Sequence, residues 1–223
     1  MQAMTYEQRR GEIATYFDRT ALAAWAKLTS TAPLSGIRAT VRAGREAMRN
    51  TLLSWLPANM TGMRLLDAGC GTGALALEAA TRGAQVTAID LSPQLVALAA
   101  ERAAGSPGAE HITWHSGDML NPELGRFDYV VCMDSIIHYQ AADAMAAIAS
   151  LAKRADKAVL FTFAPSNLML TTMLNVGKLF PRGDRSPAIE PLSEAQWRRT
   201  FDIARTRKIS AKFYISQAME VRK

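Results

Sequence analysis

An acidic residue followed by a glycine-rich turn carries the clearest chemistry in this sequence. Asp67 ends the apolar run 63–66, and the segment 75–80 has the composition of a helix. The residues between them form a turn. Three alternate positions of this turn are glycine, at Gly69, Gly71 and Gly73, with Cys70 inside it. Glycine permits positive φ and lets a ligand approach the backbone without meeting a Cβ atom. The spacing therefore predicts a nucleotide-type ligand at a strand end.

The charge of Asp67 indicates which ligand this is. Gly69-x-Gly71-x-x-Ala74 also fits a loosened dinucleotide fingerprint, so the glycines alone leave an NAD-type cofactor open. A carboxylate at the strand end would repel a pyrophosphate, whereas it attracts a sulfonium and an ammonium group. The signs of these charges favour S-adenosylmethionine as the cofactor. A glycine turn without any ligand is the remaining alternative.

Two later acids suit the same cofactor. Asp90 ends the next predicted strand, 23 residues after Asp67, which is about the spacing at which an acid binds ribose hydroxyls. Asp118 follows a third predicted strand, where a carboxylate can accept a hydrogen bond from the adenine amino group, and Met119 can cover the ring. Each acid also has the alternative role of a helix cap. Beyond the glycine turn, the predicted cofactor contacts are Asp90, Leu91, Asp118, Met119 and Met133.

Polar side chains also follow the fourth predicted strand, which ends near Met133. Ser135, His138 and Tyr139 come directly after it. Ligands in parallel sheets lie beyond the carboxyl ends of the strands, so these three side chains are predicted to enter the same cleft. A single histidine beside an apolar run is often a core residue, but its position after this strand favours a function. Ser135 and Tyr139 are predicted to contact substrate.

The elements that must position these residues alternate along the chain. Strands are predicted at 63–67, 85–90, 111–115, 127–133 and 158–163, with helices at 74–82, 93–103 and 141–153. After a helix over 193–201, the segments 203–210 and 213–221 are predicted to form an antiparallel pair. The pattern predicts an α/β fold with a doubly wound, Rossmann-like sheet of seven strands.

Two further regions are predicted to cover this sheet. Residues 1–60 are expected to form an N-terminal helical lid on the core domain 61–223, with helices over 6–28 and 38–56. Four arginines share one stripe of the second helix, at Arg38, Arg42, Arg45 and Arg49. This stripe is interpreted as a solvated face, with nucleic acid or an acidic partner as the alternative. Residues 164–192, rich in proline, are expected to be an insertion after the fifth strand that covers the substrate.

Size and composition limit the class of protein. The 223 residues, 49% of them hydrophobic, suit one globular domain. No signal core and no apolar run near ~18 residues is present, so a cytoplasmic location is predicted. The two cysteines lack metal-ligand spacing, and no metal site is predicted. Residues 178–223 hold 11 basic and 5 acidic side chains, whereas residues 1–177 hold 15 of each. The net charge of +6 therefore lies in the C-terminal part of the chain, where it favours anionic partners.

These motifs resemble those of class I S-adenosylmethionine-dependent methyltransferases. The likeness rests on the turn 67–73, Asp90 and Asp118. Within that class the chain is similar to the magnesium-protoporphyrin IX O-methyltransferase family of bacteriochlorophyll synthesis. Four longer strings carry this closer resemblance, namely 16–20 with Trp25, 133–139, 179–187 and 208–216. The alanine-rich stretch 21–26 departs from the family.

The resemblance implies transfer of a methyl group to one propionate of magnesium-protoporphyrin IX, giving the monomethyl ester and S-adenosylhomocysteine. It implies Tyr16 and His138 as the catalytic pair, and magnesium enters only with the porphyrin. The insertion is predicted to place Met169 and Met173 against the macrocycle, and Arg182 and Arg185 at the second propionate. A hydrophobic lid with solvated charges is the alternative for this segment.

The chemistry of the reaction limits the roles of Tyr16 and His138. A propionic acid titrates at about pH 4.3, like glutamate, so it is already ionised and positioning matters more than a strong base. Tyr16 is predicted to close over the sulfonium. His138 is predicted either to orient the propionate or to ligate magnesium, and the sequence leaves both open.

The sequence also leaves rival functions open and indicates possible partners. Within the enzyme class, the rival is a methyltransferase for another small carboxylate or a phenol. A noncatalytic porphyrin carrier is a second rival. Nucleic acid is not expected, because the sequence lacks both an aromatic-basic RNA-binding pattern and an Asn-Pro-Pro-Tyr-type motif. The resemblance also implies the porphyrin-carrying subunit of magnesium chelatase as a partner, and a loose association with the photosynthetic membrane.

Overall fold

The structure is a computed structural model that describes residues 5–20, 22–30, 33–34, 36–166 and 187–223. Most of the predicted insertion lies outside these ranges. The same holds for four residues predicted to contact substrate, Met169, Met173, Arg182 and Arg185.

Helices and strands alternate through most of the described chain. The helices are α1 (Tyr6–Thr15), α2 (Leu22–Leu28), α3 (Gly36–Ser54), α4 (Ala74–Thr81), α5 (Pro93–Ala103), α6 (Ala141–Arg154) and α7 (Glu194–Thr200). The strands are β1 (Arg64–Ala68), β2 (Gln85–Asp90), β3 (Ile112–Ser116), β4 (Phe127–Cys132), β5 (Ala155–Phe163), β6 (Ile203–Ala211) and β7 (Tyr214–Arg222).

The strands form a seven-stranded sheet in the order β3-β2-β1-β4-β5-β7-β6. β1 to β5 pair in parallel, and β7 pairs antiparallel with both β5 and β6. The predicted doubly wound sheet is therefore confirmed, as is its antiparallel terminal pair. The chain changes its winding direction between β1 and β4, and in such sheets the ligand crevice opens at this switch point.

The register brings the predicted acids to one edge of the sheet. Asp67 on β1 pairs with Ala88 on β2 and with Val131 on β4. Asp90 at the end of β2 pairs with Ser116 on β3. Because these strands are parallel, their carboxyl ends and the residues that follow meet above the same crevice.

Two apolar clusters cover the two faces of the sheet, because successive strand residues point to opposite sides. Leu66 and Val130 belong to the cluster that includes Ile148 of α6. Leu65 belongs to the other cluster, together with Met48 of α3. Helix α3 is therefore part of the layer on the α4 side of the sheet, where Gly44 lets the helix approach the ring of Tyr214.

The N-terminal segment is helical, but not as one helix. A π-helical turn, Tyr16–Thr20, separates α1 from α2. Within this turn Asp18 accepts hydrogen bonds from the Ser92 hydroxyl at 2.9 Å and from the Gln94 N–H at 3.2 Å. The turn thus attaches the segment to the start of α5. Such π turns occur often at functional sites.

Gly73 provides a test of the turn before α4. Its φ is 77°, and an added Cβ atom would lie 2.5 Å from Trp114 and 3.0 Å from Ala99. Gly73→Ala should therefore lower the thermal unfolding midpoint by at least about 4 °C, because a left-handed residue costs about 1–2 kcal/mol before the clash is counted. Gly62→Ala is the matched control, since Gly62 has the same φ of 77° but an open surrounding. Equal midpoints for the two variants would show that contact with Trp114 is unimportant.

Candidate active site

A cavity of about 490 Å³ lies beyond the carboxyl ends of β1 to β4. The structure places nearly all predicted cofactor residues in its wall, namely Asp67, Gly69, Cys70, Gly71, Asp90, Leu91, Asp118, Met119 and Met133. Gly73 is not among the lining residues and instead packs on Trp114. All predicted cofactor residues except Gly73 thus lie around one cavity, and the role of each remains a prediction.

Asp67 is a buried carboxylate with an unmet acceptor. Asp67 is 2% exposed, and its Oδ2 has no hydrogen-bond partner in the described part of the chain. Burial raises the pKa of Asp67 to about 7, and the nearby Asp90 carboxylate adds to this shift. A buried carboxylate with one unpaired oxygen is costly to ionise, even with the backbone hydrogen bond from Ala76, so Asp67 is suited to a cationic ligand.

Asp90 holds the glycine turn in place. It accepts hydrogen bonds from the N–H of Gly71 at 2.9 Å and from that of Ser92 at 3.0 Å. The alternative role of a helix cap is wrong for Asp90, because Ser92 is the N-cap of α5. Burial raises the pKa of Asp90. Each carboxylate oxygen has a second lone pair, so Asp90 can still accept from ligand hydroxyls.

Asp118 is contacted by α1, which the sequence did not indicate. It accepts hydrogen bonds from the Tyr6 hydroxyl at 3.0 Å and from Arg10 Nη1 at 2.5 Å. The Tyr6 ring also stacks on Tyr139, with 5.0 Å between ring centroids. Tyr139 therefore lines the cavity but is only 3% exposed, which leaves little of it for the predicted substrate contact. Helix α1 covers this end of the cavity.

His138 lines the cavity and is 5% exposed. Its Nδ1 lies 3.3 Å from the carbonyl oxygen of Ala188. A carbonyl oxygen only accepts, so Nδ1 donates to Ala188, and the backbone carbonyl of Pro187 is a second acceptor for the ring. Burial lowers the pKa of His138, and the ring is therefore neutral at pH 7.

Tyr16 lines the same cavity as His138. Its ring packs edge-to-face on Phe17 at 5.2 Å, and Phe17 lies 6.0 Å from the His138 ring. The π-helical turn thus brings the predicted catalytic pair to one wall, with Phe17 between them.

Ser135 is pressed against the glycine turn. A Cβ atom at Gly69 would lie 2.3 Å from the Ser135 Cβ, so only glycine fits there. The Ser135 hydroxyl is buried beside the Cys132 thiol and has no oxygen or nitrogen partner among the described residues. It lines the cavity at the predicted position and has a polar atom available for a ligand.

Asp134 was not predicted as a site residue, although it lines the cavity. Its backbone is left-handed, with a φ of 54°. Its carboxylate accepts hydrogen bonds from Thr162 at 3.0 Å and from Tyr214 at 3.2 Å, and it pairs with Arg45. Aspartate tolerates this conformation better than most residues, which is a weak signal in the sequence.

The arginine stripe of α3 also borders the cavity. Arg38, Arg42, Arg45 and Arg49 all line it, and Arg38 is exposed while the other three are half-buried, so the predicted solvated face is solvated only in part. Arg42 donates to the carbonyl oxygens of Leu28 at 2.8 Å and Lys27 at 2.7 Å, at the end of α2. The helical pattern identified a polar face, and part of that face borders a cavity.

Comparison with known proteins identifies the family. The family described as "Magnesium-protoporphyrin IX methyltransferase C-terminus" matches residues 132–223, and "Methyltransferase domain" matches residues 65–157. The magnesium-protoporphyrin O-methyltransferase of Rhodobacter capsulatus is 44% identical over 220 residues, 97% of this chain and 98% of that protein. The chain belongs to the magnesium-protoporphyrin O-methyltransferase family.

A solved member of this family has the same fold. The crystal structure of magnesium protoporphyrin IX methyltransferase from Synechocystis PCC 6803 with bound SAH superposes with a TM-score of 0.84 at 30% identity, covering 96% of this chain and 99% of that one. Ubiquinone biosynthesis O-methyltransferase of Xanthomonas oryzae is 34% identical, but over only 65% of this chain and 64% of that protein. The full-length likeness thus favours the magnesium-protoporphyrin O-methyltransferase family over the rival methyltransferase for another small carboxylate or a phenol.

In the ranges that the structure describes, no group of three or more His, Cys, Asp or Glu side chains is arranged to hold a metal ion. None of the helices in those ranges is long and apolar enough to cross a membrane.

Proposed function

We propose that the protein is an S-adenosylmethionine-dependent O-methyltransferase that esterifies one propionate of magnesium-protoporphyrin IX in bacteriochlorophyll biosynthesis. The products are the monomethyl ester and S-adenosylhomocysteine. The single observation that carries this is the 44% identity to the Rhodobacter capsulatus enzyme along nearly the whole of both chains. The cavity is consistent with it, because Asp67, Asp90 and Asp118 line its wall beyond the strand ends together with many apolar and basic side chains.

The residues of the cavity suit this cofactor. S-adenosylmethionine, when bound, supplies an electrophilic methyl group on a cationic sulfur. Asp67 offers its unpaired carboxylate oxygen to the positive charges of the ligand. Asp90 accepts from the ribose hydroxyls while it holds the Gly71 N–H. Asp118 and Met119 bind the adenine, one by its carboxylate and the other by its apolar side chain.

The tautomer of His138 favours one of its two predicted roles. At neutral pH a propionate has only lone pairs to offer, and so does the unprotonated Nε2, so the two cannot share a hydrogen bond. A neutral imidazole nitrogen is instead a metal ligand. We therefore assign His138 as an axial ligand of the porphyrin magnesium, which fixes the macrocycle relative to the methyl donor. The contact of Nδ1 with Ala188 supports this tautomer.

Tyr16 is proposed to act at the methyl donor, where its hydroxyl or ring face lies near the sulfonium. Tyr16→Phe should lower turnover about tenfold with little change in the Kd of S-adenosylhomocysteine, because one hydrogen bond in the transition state is lost. Tyr129→Phe on β4 is the control, as Tyr129 does not line the cavity. Steady-state kinetics decide this, and unchanged kinetics for Tyr16→Phe would leave Tyr16 only a packing role.

The experiment that tests the function combines purified protein with labelled S-adenosylmethionine and magnesium-protoporphyrin IX. We expect a product heavier by one methyl group, identified by mass. Metal-free protoporphyrin and a phenol serve as competing acceptors, and faster methylation of either would favour the rival methyltransferase. Binding of the porphyrin without any ester would instead identify a carrier.

Further contacts are proposed from the family resemblance. Met169 and Met173 would face the macrocycle, and Arg182 and Arg185 would hold the second propionate. The porphyrin-carrying subunit of magnesium chelatase would deliver the substrate. The reaction would take place in the cytoplasm, with the protein loosely associated with the photosynthetic membrane.

A further inference from the structure

The guanidinium of Arg45 is held from two directions at the cavity wall. Its Nη1 donates to a carboxylate oxygen of Asp134. Its central carbon lies 4.6 Å from the centroid of the Trp25 ring, a cation–π contact with helix α2. The Arg45 side chain is 20% exposed and lines the cavity. Arginine is usually a mobile side chain, but here one face and one end are fixed.

Asp134, which fixes that end, is itself held firmly. Its N–H donates to the Thr162 hydroxyl at 2.8 Å, and the same hydroxyl donates back to its carboxylate at 3.0 Å. The hydroxyl of Tyr214 adds a hydrogen bond at 3.2 Å. The left-handed backbone at Asp134 costs free energy, and it persists only where the surroundings determine it this strongly. The Arg45 guanidinium is therefore positioned by Asp134, which follows β4 and is itself held by Thr162 of β5 and Tyr214 of β7.

The opposite edge of the guanidinium has no hydrogen-bond partner among the described residues. Within the described ranges no hydrogen bond is made by Nε or Nη2 of Arg45. These two nitrogens form the side of the guanidinium that donates two parallel hydrogen bonds to a carboxylate. Arg42, one turn earlier, uses its Nε and Nη2 on the carbonyl oxygens of Leu28 and Lys27. Arg42 thus holds a helix end, while the equivalent edge of Arg45 remains available to a ligand.

We infer that Arg45 is a carboxylate-binding residue of the reaction cavity and that Asp134 is the residue that positions it. This inference rests on the proposed function, which brings two carboxylates into the cavity besides the one that reacts. One belongs to the methionine part of the cofactor, and the other is the second propionate of the porphyrin. Both stay ionised throughout methyl transfer, so either gains from a fixed, preorganised guanidinium.

Binding experiments with Arg45→Gln test the inference and identify the source of the carboxylate. The Kd values of S-adenosylhomocysteine and of magnesium-protoporphyrin IX are measured separately. We expect one of them to rise at least about tenfold, because two charge-assisted hydrogen bonds are lost. The ligand whose Kd rises is the one that supplies the carboxylate. Arg45→Lys, which keeps the charge but not the paired donors, should recover only part of the affinity. Arg126→Gln on the surface is the control for net charge.

Asp134→Asn tests the positioning role. It should weaken the same ligand as Arg45→Gln, and the double variant should be no weaker than Arg45→Gln alone, because both changes remove one interaction. A purely structural role for Asp134 would instead lower the unfolding midpoint without selecting one ligand. If Asp134→Asn fails to fold, the Arg45 variants still decide the main point.

The outcomes separate this inference from the function beneath it. If Arg45→Gln binds both ligands as the wild type does, in a protein that methylates the porphyrin, the inference is overturned and the function stands. If the wild type neither binds nor methylates magnesium-protoporphyrin IX, the proposed function fails, and the inference fails with it.

Discussion

His138→Ala is expected to lose at least about 100-fold in kcat while the Kd of S-adenosylhomocysteine stays within about twofold of the wild type. The reason is geometric. His138 is buried and held through its Nδ1 on Ala188, and its proposed role is to hold the acceptor and not the methyl donor. Single-turnover kinetics together with calorimetry measure both quantities.

The proposed ligation of magnesium by His138 predicts a further difference between two porphyrins. His138→Ala should weaken binding of magnesium-protoporphyrin IX but leave binding of metal-free protoporphyrin unchanged. The matched control is His115→Ala, which removes an exposed histidine from β3. Equal weakening for both porphyrins would indicate that His138 acts through packing, and wild-type turnover in His138→Ala would remove it from the mechanism.

The sheet was predictable because buried parallel strands are short apolar runs with turns at both ends. The boundary of β5 shows the limit of this signal. The strand was predicted from residue 158, but it begins at Ala155. Asp156 and Lys157 are exposed at its start, and charged residues at a strand end look the same in sequence as residues of a loop.

The cofactor side of the cavity was predictable for a related reason, since acids at the ends of consecutive parallel strands must meet. The contacts from the N-terminal helices were not. Arg45 and Asp134 are 89 residues apart, and Tyr6 and Asp118 are 112 apart. A helical pattern shows which face is polar, but it does not show whether that face meets solvent, a cavity or a distant carboxylate. For this reason the sequence predicted the polar stripe of α3 but not its contact with the cavity.

Asp67→Asn is expected to weaken binding of S-adenosylmethionine at least about tenfold at pH 8, because a buried charge opposite a cationic ligand is lost. The pKa of Asp67 is raised to about 7 by burial, so the wild-type carboxyl becomes protonated as the pH falls below 7. Wild-type affinity for S-adenosylmethionine should therefore fall between pH 8 and pH 6. The affinity of Asp67→Asn should change much less over the same range, as measured by calorimetry at each pH.

The same variant should be more stable than the wild type when no ligand is bound. A carboxyl group whose pKa is higher in the folded than in the unfolded state binds more protons when folded, so its ionisation lowers the free energy of unfolding as the pH rises. For Asp67 this loss begins near the ordinary pKa of 3.8 and is complete above about 7. At pH 8 the unfolding midpoint of Asp67→Asn should exceed that of the wild type, and the difference should shrink toward pH 5.

Asp128→Asn is the matched control, because its shift has the opposite sign. The pKa of Asp128 is lowered, first by the backbone N–H of Arg64 and then by Lys157, so removing this charge should destabilise the protein at pH 8. A packing defect in Asp67→Asn would lower stability and cofactor affinity together. If the Asp67 carboxylate lowers the stability of the free protein but binds the ligand, Asp67→Asn should raise stability while it lowers affinity. A lower unfolding midpoint for Asp67→Asn at pH 8 would contradict that role.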